Sequence, residues 1–433
     1  MAQSLIVHDL QPGPQGSDPG QIVRLDDQLI LSANTAQLGH NLLRLSLANG
    51  AIDLLANLAD GDDGNPSGTA IIGATAFFSM HDATGGHELW RSDGTAQGTN
   101  RIADLHPGVE GSHPRHLRAI GQSLYFVADD GVRGAELWRL NDNSLPVLVR
   151  DIRPGKNGSS PSSLVVHQDT LYFVADDGIH GNELWRSDGT FSGTVLVKDI
   201  DPGAADGAPR NLLSTEIALC FTADDGATGR ELWASNGLEE NTIRLSDIDA
   251  GSAGSYPQEL VEVTGAVYFS ADDGINGREL WKSDGTEAGT ALVADIFSGD
   301  RGSAPSGLAN HNDSLFFSAD DGIHGEELWV SDGSEDGTVL VADIDPGPAD
   351  SFPSDFKTFA GKIVFVAHDG ISGNELWISD GTSAATRLLA DLEPGYTGSY
   401  PAGLEATEGW LYFTATNQLT GTELYALPAL ATY

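Results

Sequence analysis

The chain has 433 residues, one more than nine times 48, and its 19 Pro, 53 Gly and 8 Trp approximate nine sets of two, six and one, which is the arithmetic of a repeat protein. Lys and Arg total 22 against 63 Asp and Glu, a formal charge of -41, which repels phosphate backbones and anionic lipid and so argues against nucleic acid and membrane surfaces as partners. Hydrophobic residues make up 40% of the chain, but none of their runs approaches the roughly 20 apolar residues that a membrane-spanning helix needs. Cys220, the single cysteine, cannot form an internal disulfide. The first residues, MAQSLIVHDLQPG, lack the basic region and apolar run of a signal peptide, so none is expected in this chain.

The chain opens inside a repeat. Leu5 to Gly13, LIVHDLQPG, matches VLVADIDPG at 339–347. From there an ELW signature places Trp at 90, 138, 185, 233, 281, 329 and 377, with weaker copies ending at Leu43 and Tyr425. Proline recurs 22 residues before the Glu position in all nine units, at 19, 66, 114, 161, 209, 257, 305, 353 and 401, and glycine recurs two residues before it, from Gly39 to Gly421. Within 161–200, PSSLVVHQDTLYFVADDGIHGNELWRSDGTFSGTVLVKDI, short apolar runs alternate with DDG, DG and SGT turns. That pattern predicts four strands: A around Leu164 to Val166, B around Leu171 to Ala175, C around Glu183 to Ser187 and D around Val195 to Ile200. Four antiparallel strands in a 48-residue unit are a β-propeller blade. The expected fold is therefore all-β, a single domain over 1–433 made of about nine blades. The strand at 4–10 is expected to complete the C-terminal blade at 396–428, because the chain ends after a strand C and begins with a strand D.

The segments GNELWRSDGTFSGT at 181–194 and GRELWKSDGTEAGT at 277–290 resemble the bacterial ELWxxDGT repeat, sometimes labelled hyalin-like, over essentially the whole chain. The resemblance implies propeller-like β structure within large extracellular or surface proteins, and no established activity. RLNDN at 139–143, ASNG at 234–237 and the eroded first unit depart from it.

Loop positions sort the polar motifs, since D–A and B–C loops share one face of a propeller and A–B and C–D loops the other. On the first face, five consecutive blades carry an acidic pair in the B–C turn, a Glu opening strand C and an Asp ending strand D. These are Asp129, Asp130, Glu136 and Asp151; Asp176, Asp177, Glu183 and Asp199; Asp224, Asp225, Glu231 and Asp247; Asp272, Asp273, Glu279 and Asp295; Asp320, Asp321, Glu327 and Asp343. Glu183 and Asp199 are expected to oppose one another, and opposed like charges are unfavourable. One reading fills these sets with Ca2+, whose shell takes six to eight oxygens. The other makes the aspartates turn caps and lets Glu and the strand-D Asp accept backbone N–H bonds. The SDGT hairpins and repeated Trp read as structural. His106, His113 and His116 share one loop and are candidates for a transition metal, and Arg115 and Arg210 follow the recurrent proline where they would rim the funnel.

No G-x-S-x-G, HExxH or phosphate-loop motif occurs, and loop length is constant. The expectation is a non-catalytic module, not an enzyme, at the cell surface or outside the cell with the cytoplasm left open, a monomer binding carbohydrate or protein, with Ca2+ as its one potential cofactor. The alternative is a polysaccharide hydrolase or lyase with its site in the central funnel.

Overall fold

The computed structural model describes residues 6–20, 22–35, 39–57, 66–82, 84–141 and 144–429; Asp142 and Asn143 of the RLNDN departure and the first residues of the expected 4–10 strand lie outside them. The described strands form nine four-stranded antiparallel sheets, a nine-bladed β-propeller. Blade 4 is typical, with A at Ser162–His167, B at Thr170–Asp176, C at Asn182–Ser187 and D at Val195–Lys198, each within three residues of its predicted bounds. The helices among the described residues are single 3-10 turns, Glu239–Asn241 and Ser383–Ala385.

Strand B explains why the sheets stack. In blade 4 it reads TLYFVAD, with Leu171 to Ala175 all buried. A strand half-exposed to water would alternate, and a continuous apolar run marks one covered on both faces. The phenylalanine at its centre, Phe173 in blade 4 and Phe221, Phe269, Phe317, Phe365 and Phe413 in those that follow, is fully buried. Each such ring contributes about 1.5–3 kcal/mol of burial.

The core lies between blades. One apolar cluster joins Val127 and Leu137 of blade 3 to Phe173 and Trp185 of blade 4, and the same kind of cluster recurs at each following interface up to Val364 and Leu376 of blade 8 with Phe413 of blade 9. Leu29 and Leu43 of blade 1 then pack with Tyr412 and Leu424 of blade 9. Nine sheets joined by nine clusters make a ring, because an open row of nine would have eight interfaces.

The seam is closed as the termini imply. Ile6–His8 pairs antiparallel with the last strand, Gly421–Pro428, as Ile6 to Ala426 and His8 to Leu424. This removes the sheet edge that would otherwise stand open. Strands A of neighbouring blades touch and form the inner wall. In eight of them the register slips by one bulge, as between Ser162 and Val165.

Candidate functional site

The Glu of each ELW unit is the best-satisfied polar group on the D–A and B–C face. Glu136 is fully buried and accepts from Ile152 N, Arg153 N, Ser159 N and Ser159 Oγ at 2.6–3.2 Å. It thereby pins both ends of the D–A loop that leads to the next blade. Glu88, Glu183, Glu231, Glu279, Glu327, Glu375 and Glu423 do the same in their own blades. At the seam the donors come from the other end of the chain, Leu10 N at 3.1 Å and Ser17 N at 2.8 Å to Glu423.

Burial raises the carboxyls of Glu136, Glu183, Glu231, Glu279, Glu327, Glu375 and Glu423, and the bonded donors offset part of the rise. Glu183 and Glu327 are pushed up to about 7, by burial first, with Asp199 and Asp343 adding like-charge repulsion. Glu183 also lacks a hydroxyl donor, because Gly207 stands where blade 3 has Ser159. The expected opposition of Glu183 and Asp199 is thus visible in the electrostatics.

In the B–C turn Asp177 Oδ1 caps Ile179 N and His180 N at 2.9 Å. Burial pushes its carboxyl up, but the bonds from His180 and Ile179 outweigh it and hold it below the usual range. Asp130, Asp225, Asp273 and Asp321 behave alike. Asp129, Asp176, Asp224, Asp272 and Asp320 cap the turn glycine. The strand-D aspartates differ from these, since Oδ1 of Asp151, Asp199 and Asp343 is buried without a hydrogen-bond partner. Glu136 and Glu279, with four donors each, have their lone pairs filled from the backbone and one serine. Among the described residues no three acidic, His or Cys side chains converge as a chelating group.

The SDGT hairpins are self-contained. Ser187 Oγ meets Thr194 Oγ1 at 2.7 Å and receives Gly189 N, while Asp188 Oδ1 accepts Thr190 N and Thr190 Oγ1. Trp138, Trp185, Trp233 and Trp329 are buried between blades.

The three loop histidines are not brought together as one set. His106 lies over Gly131 of the next blade, and His116 sits at the start of strand A with its imidazole held below the usual range by burial and by Arg115 and Arg118. His113 instead stacks on His87, 5.3 Å between centroids at 29°, and His87 meets His81 edge-on at 5.0 Å. The signal for this second cluster is in the register, because His81 and His87 are cross-strand partners at the positions occupied by Asp176 and Asn182 in blade 4. Arg115 and Arg210 both open a strand A, opposite Val127 and Thr222.

Between blades the third D–A residue lies over the turn glycine of the next blade: Arg153 over Gly178, Asp201 over Gly226, Asp249 over Gly274, Phe297 over Gly322 and Asp345 over Gly370. A groove runs there from one loop to the next turn. In two grooves the chain fills it with its own guanidinium. Arg153 pairs with Asp176, and Arg301 reaches Asp320 at 2.9 Å while lying 5.0 Å over the Phe297 ring. The groove between blades 7 and 8 opens into a cleft of about 390 Å3 lined by Asp345, Asp350, Phe352 and His368, with Ala349 and Asn374, and by Tyr396 and Tyr400 of the loop that leads from blade 8 to blade 9. Phe352 and Tyr400 precede the recurrent proline with φ of +49°, as Asp18, His113, Ser160, Ala208, Tyr256 and Ala304 do with φ of +42° to +49°. The strained backbone is common to these blades, whereas the side chain it presents varies.

No protein-family model matches the chain, and no curated protein matches it. Among solved structures it is similar to puromycin hydrolase, at 14% identity and a TM-score of 0.42 over 82% of this chain and 58% of that one. It is similar to a prolyl endopeptidase at 11% identity and 0.45, over 83% and 55%, and to the propeller domain of the trilobed protease from Pyrococcus furiosus at 10% identity and 0.41, over 87% and 98%. The chain spans 55 to 58% of the length of the first two. Likeness at this level is one of fold.

These neighbours correct two expectations, that the chain is a non-catalytic binding or scaffold module and that it is not an enzyme. The first two are peptidases, and the third is the propeller domain of a protease.

Proposed function

We propose that the D–A and B–C face gathers basic polypeptide segments, as the recognition part of a peptide-directed enzyme. The observation that carries this reading is the use the molecule makes of its inter-blade grooves. Arg153 and Arg301 show that a guanidinium fits between a D–A loop and the next blade's first turn aspartate. In the grooves of Asp201, Asp249 and Asp345 a carboxylate takes the place of Arg153. Repeated acidic grooves on a molecule of charge -41 suit an extended cationic ligand, since each added contact acts at high effective concentration and the field steers encounter. The repeat resemblance favours deployment at or outside the cell surface.

The test compares two charge-matched triple variants in binding a labelled oligolysine peptide. Asp201→Asn, Asp249→Asn and Asp345→Asn together should weaken binding about tenfold or more, the equivalent of about 1.4 kcal/mol. Glu287→Gln, Glu335→Gln and Asp336→Asn, exposed on the opposite hairpins, should change it less than about twofold. Equal losses would reduce the effect to overall charge and sink the reading.

A further inference from the structure

We propose that the cleft between blades 7 and 8 is a receptor for a substituted ammonium group, such as a methylated lysine side chain or a small quaternary amine. This deepens the reading above and rests on it for the choice of face. Three aromatic side chains stand exposed around the cleft, Phe352 at 54%, Tyr396 at 73% and Tyr400 at 58%. Rings left this open in one place mark an interaction site. Their π faces carry negative potential, and Tyr396 is held edge-on to His368 at 5.2 Å and 83°. Two carboxylates, Asp345 and Asp350, share the lining, and no Lys or Arg does. Asp350 Oδ1 accepts Glu326 N at 2.8 Å, which fixes the carboxylate at the cleft.

The neighbouring groove shows what such a lining holds. Between blades 6 and 7 an aromatic ring and a carboxylate, Phe297 and Asp320, contact the largely exposed guanidinium of Arg301. Between blades 7 and 8 Ala349 stands at the position of Arg301, and the aromatic count rises. The chain has removed its own cation and widened the π surface. Aromatic rings with a nearby carboxylate are a lining that recognises alkylated ammonium groups. Nδ1 of His368 lies 3.4 Å from Asp345 and accepts from Gly370 N at 2.9 Å.

The experiment is calorimetric titration of the full chain with tetramethylammonium, with a trimethyllysine peptide and with the neutral isostere 3,3-dimethylbutanol. Both cations should bind, and the neutral compound should bind about tenfold more weakly or not at all. Tyr396→Ala and Asp350→Asn should each weaken tetramethylammonium about tenfold or more, while Tyr256→Ala, which removes an exposed ring at the corresponding loop position of another blade, should leave it unchanged. Binding of tetramethylammonium but not of the peptide would support the cleft and assign it to a free amine. Equal binding of the neutral compound, an equal loss in Tyr256→Ala, or silence toward both cations would overturn the proposal. Silence here with oligolysine still bound would overturn the cleft alone, and the reverse would overturn the wider reading alone.

Discussion

The Glu that opens strand C and the cleft between blades 7 and 8 lie on the same face and teach opposite things. Glu136 and its counterparts are buried, saturated with donors and repeated around the ring. Phe352, Tyr396 and Tyr400 are exposed, project from a backbone shared by other blades and occur together once among the described loops. A position that repeats with all its bonds satisfied is holding the ring together. A position that keeps the backbone and changes the side chain is where a ligand can be chosen.

The largest effect should come from breaking the repeated element. Glu279→Ala leaves both buried donors of Ser303, and the half-buried Ile296 N and Phe297 N, without an acceptor. A loss of about 3 kcal/mol or more follows from one to three per orphaned group. Denaturant unfolding measures it, and Tyr396→Ala should by contrast stay within about 0.5 kcal/mol, as an exposed residue does. Comparable losses would erase the distinction.

A middle-sized effect concerns pH. The carboxyl of Glu183 ordinarily titrates at 4.5 and in the fold at about 7. Between those values the folded state holds a proton that the unfolded state has released, so its contribution is fully present below pH 4.5 and lost as pH rises to 7. Glu327 acts with the same sign. Asp177 acts with the opposite one, since its folded carboxyl is held below its ordinary 3.8 and its contribution is lost as pH falls. Gly207→Ser supplies the hydroxyl that Ser159 gives Glu136 once Ile200 and the Glu183 carboxylate give way to its Cβ, and should make the fall in Tm between pH 4.5 and 7 shallower. An unchanged slope would mean that the hydroxyl does not set the carboxyl's affinity.

The smallest effect should be that of Ca2+. With the lone pairs of Glu136 and Glu279 filled from the backbone and a serine, millimolar Ca2+ should shift Tm by less than about 0.5 °C, on the order of 0.5 kcal/mol or less. A larger, saturable shift would put ions between the strand-D aspartates and the B–C turns.

Most of the fold was legible in the sequence because one spacing of 48 and a recurrent proline fix blade length, and the offset termini fix closure. Strand limits came within three residues since Asp-Gly turns bracket each run. The candidate site was less legible. Acidic pairs stood out by repetition, yet their carboxylates mostly cap turns, which composition alone does not distinguish from ligands. The 7–8 cleft was missed because its residues are spread over 345–400 and only its aromatic rings, one at a time, depart from the repeat. Only the packing of one D–A loop over the next blade's glycine brings Asp345 to His368. The set of His106, His113 and His116 failed for the same reason in reverse, since neighbours in a loop need not share a side of it.

The central claim, that the ligand site lies where the blades differ, is tested most directly by mapping hydrogen exchange across the chain with and without tetramethylammonium. The account predicts protection confined to residues 345–352, 368–374 and 396–400. Protection spread evenly over the D–A loops of all blades, or confined to the SDGT hairpins, would contradict it.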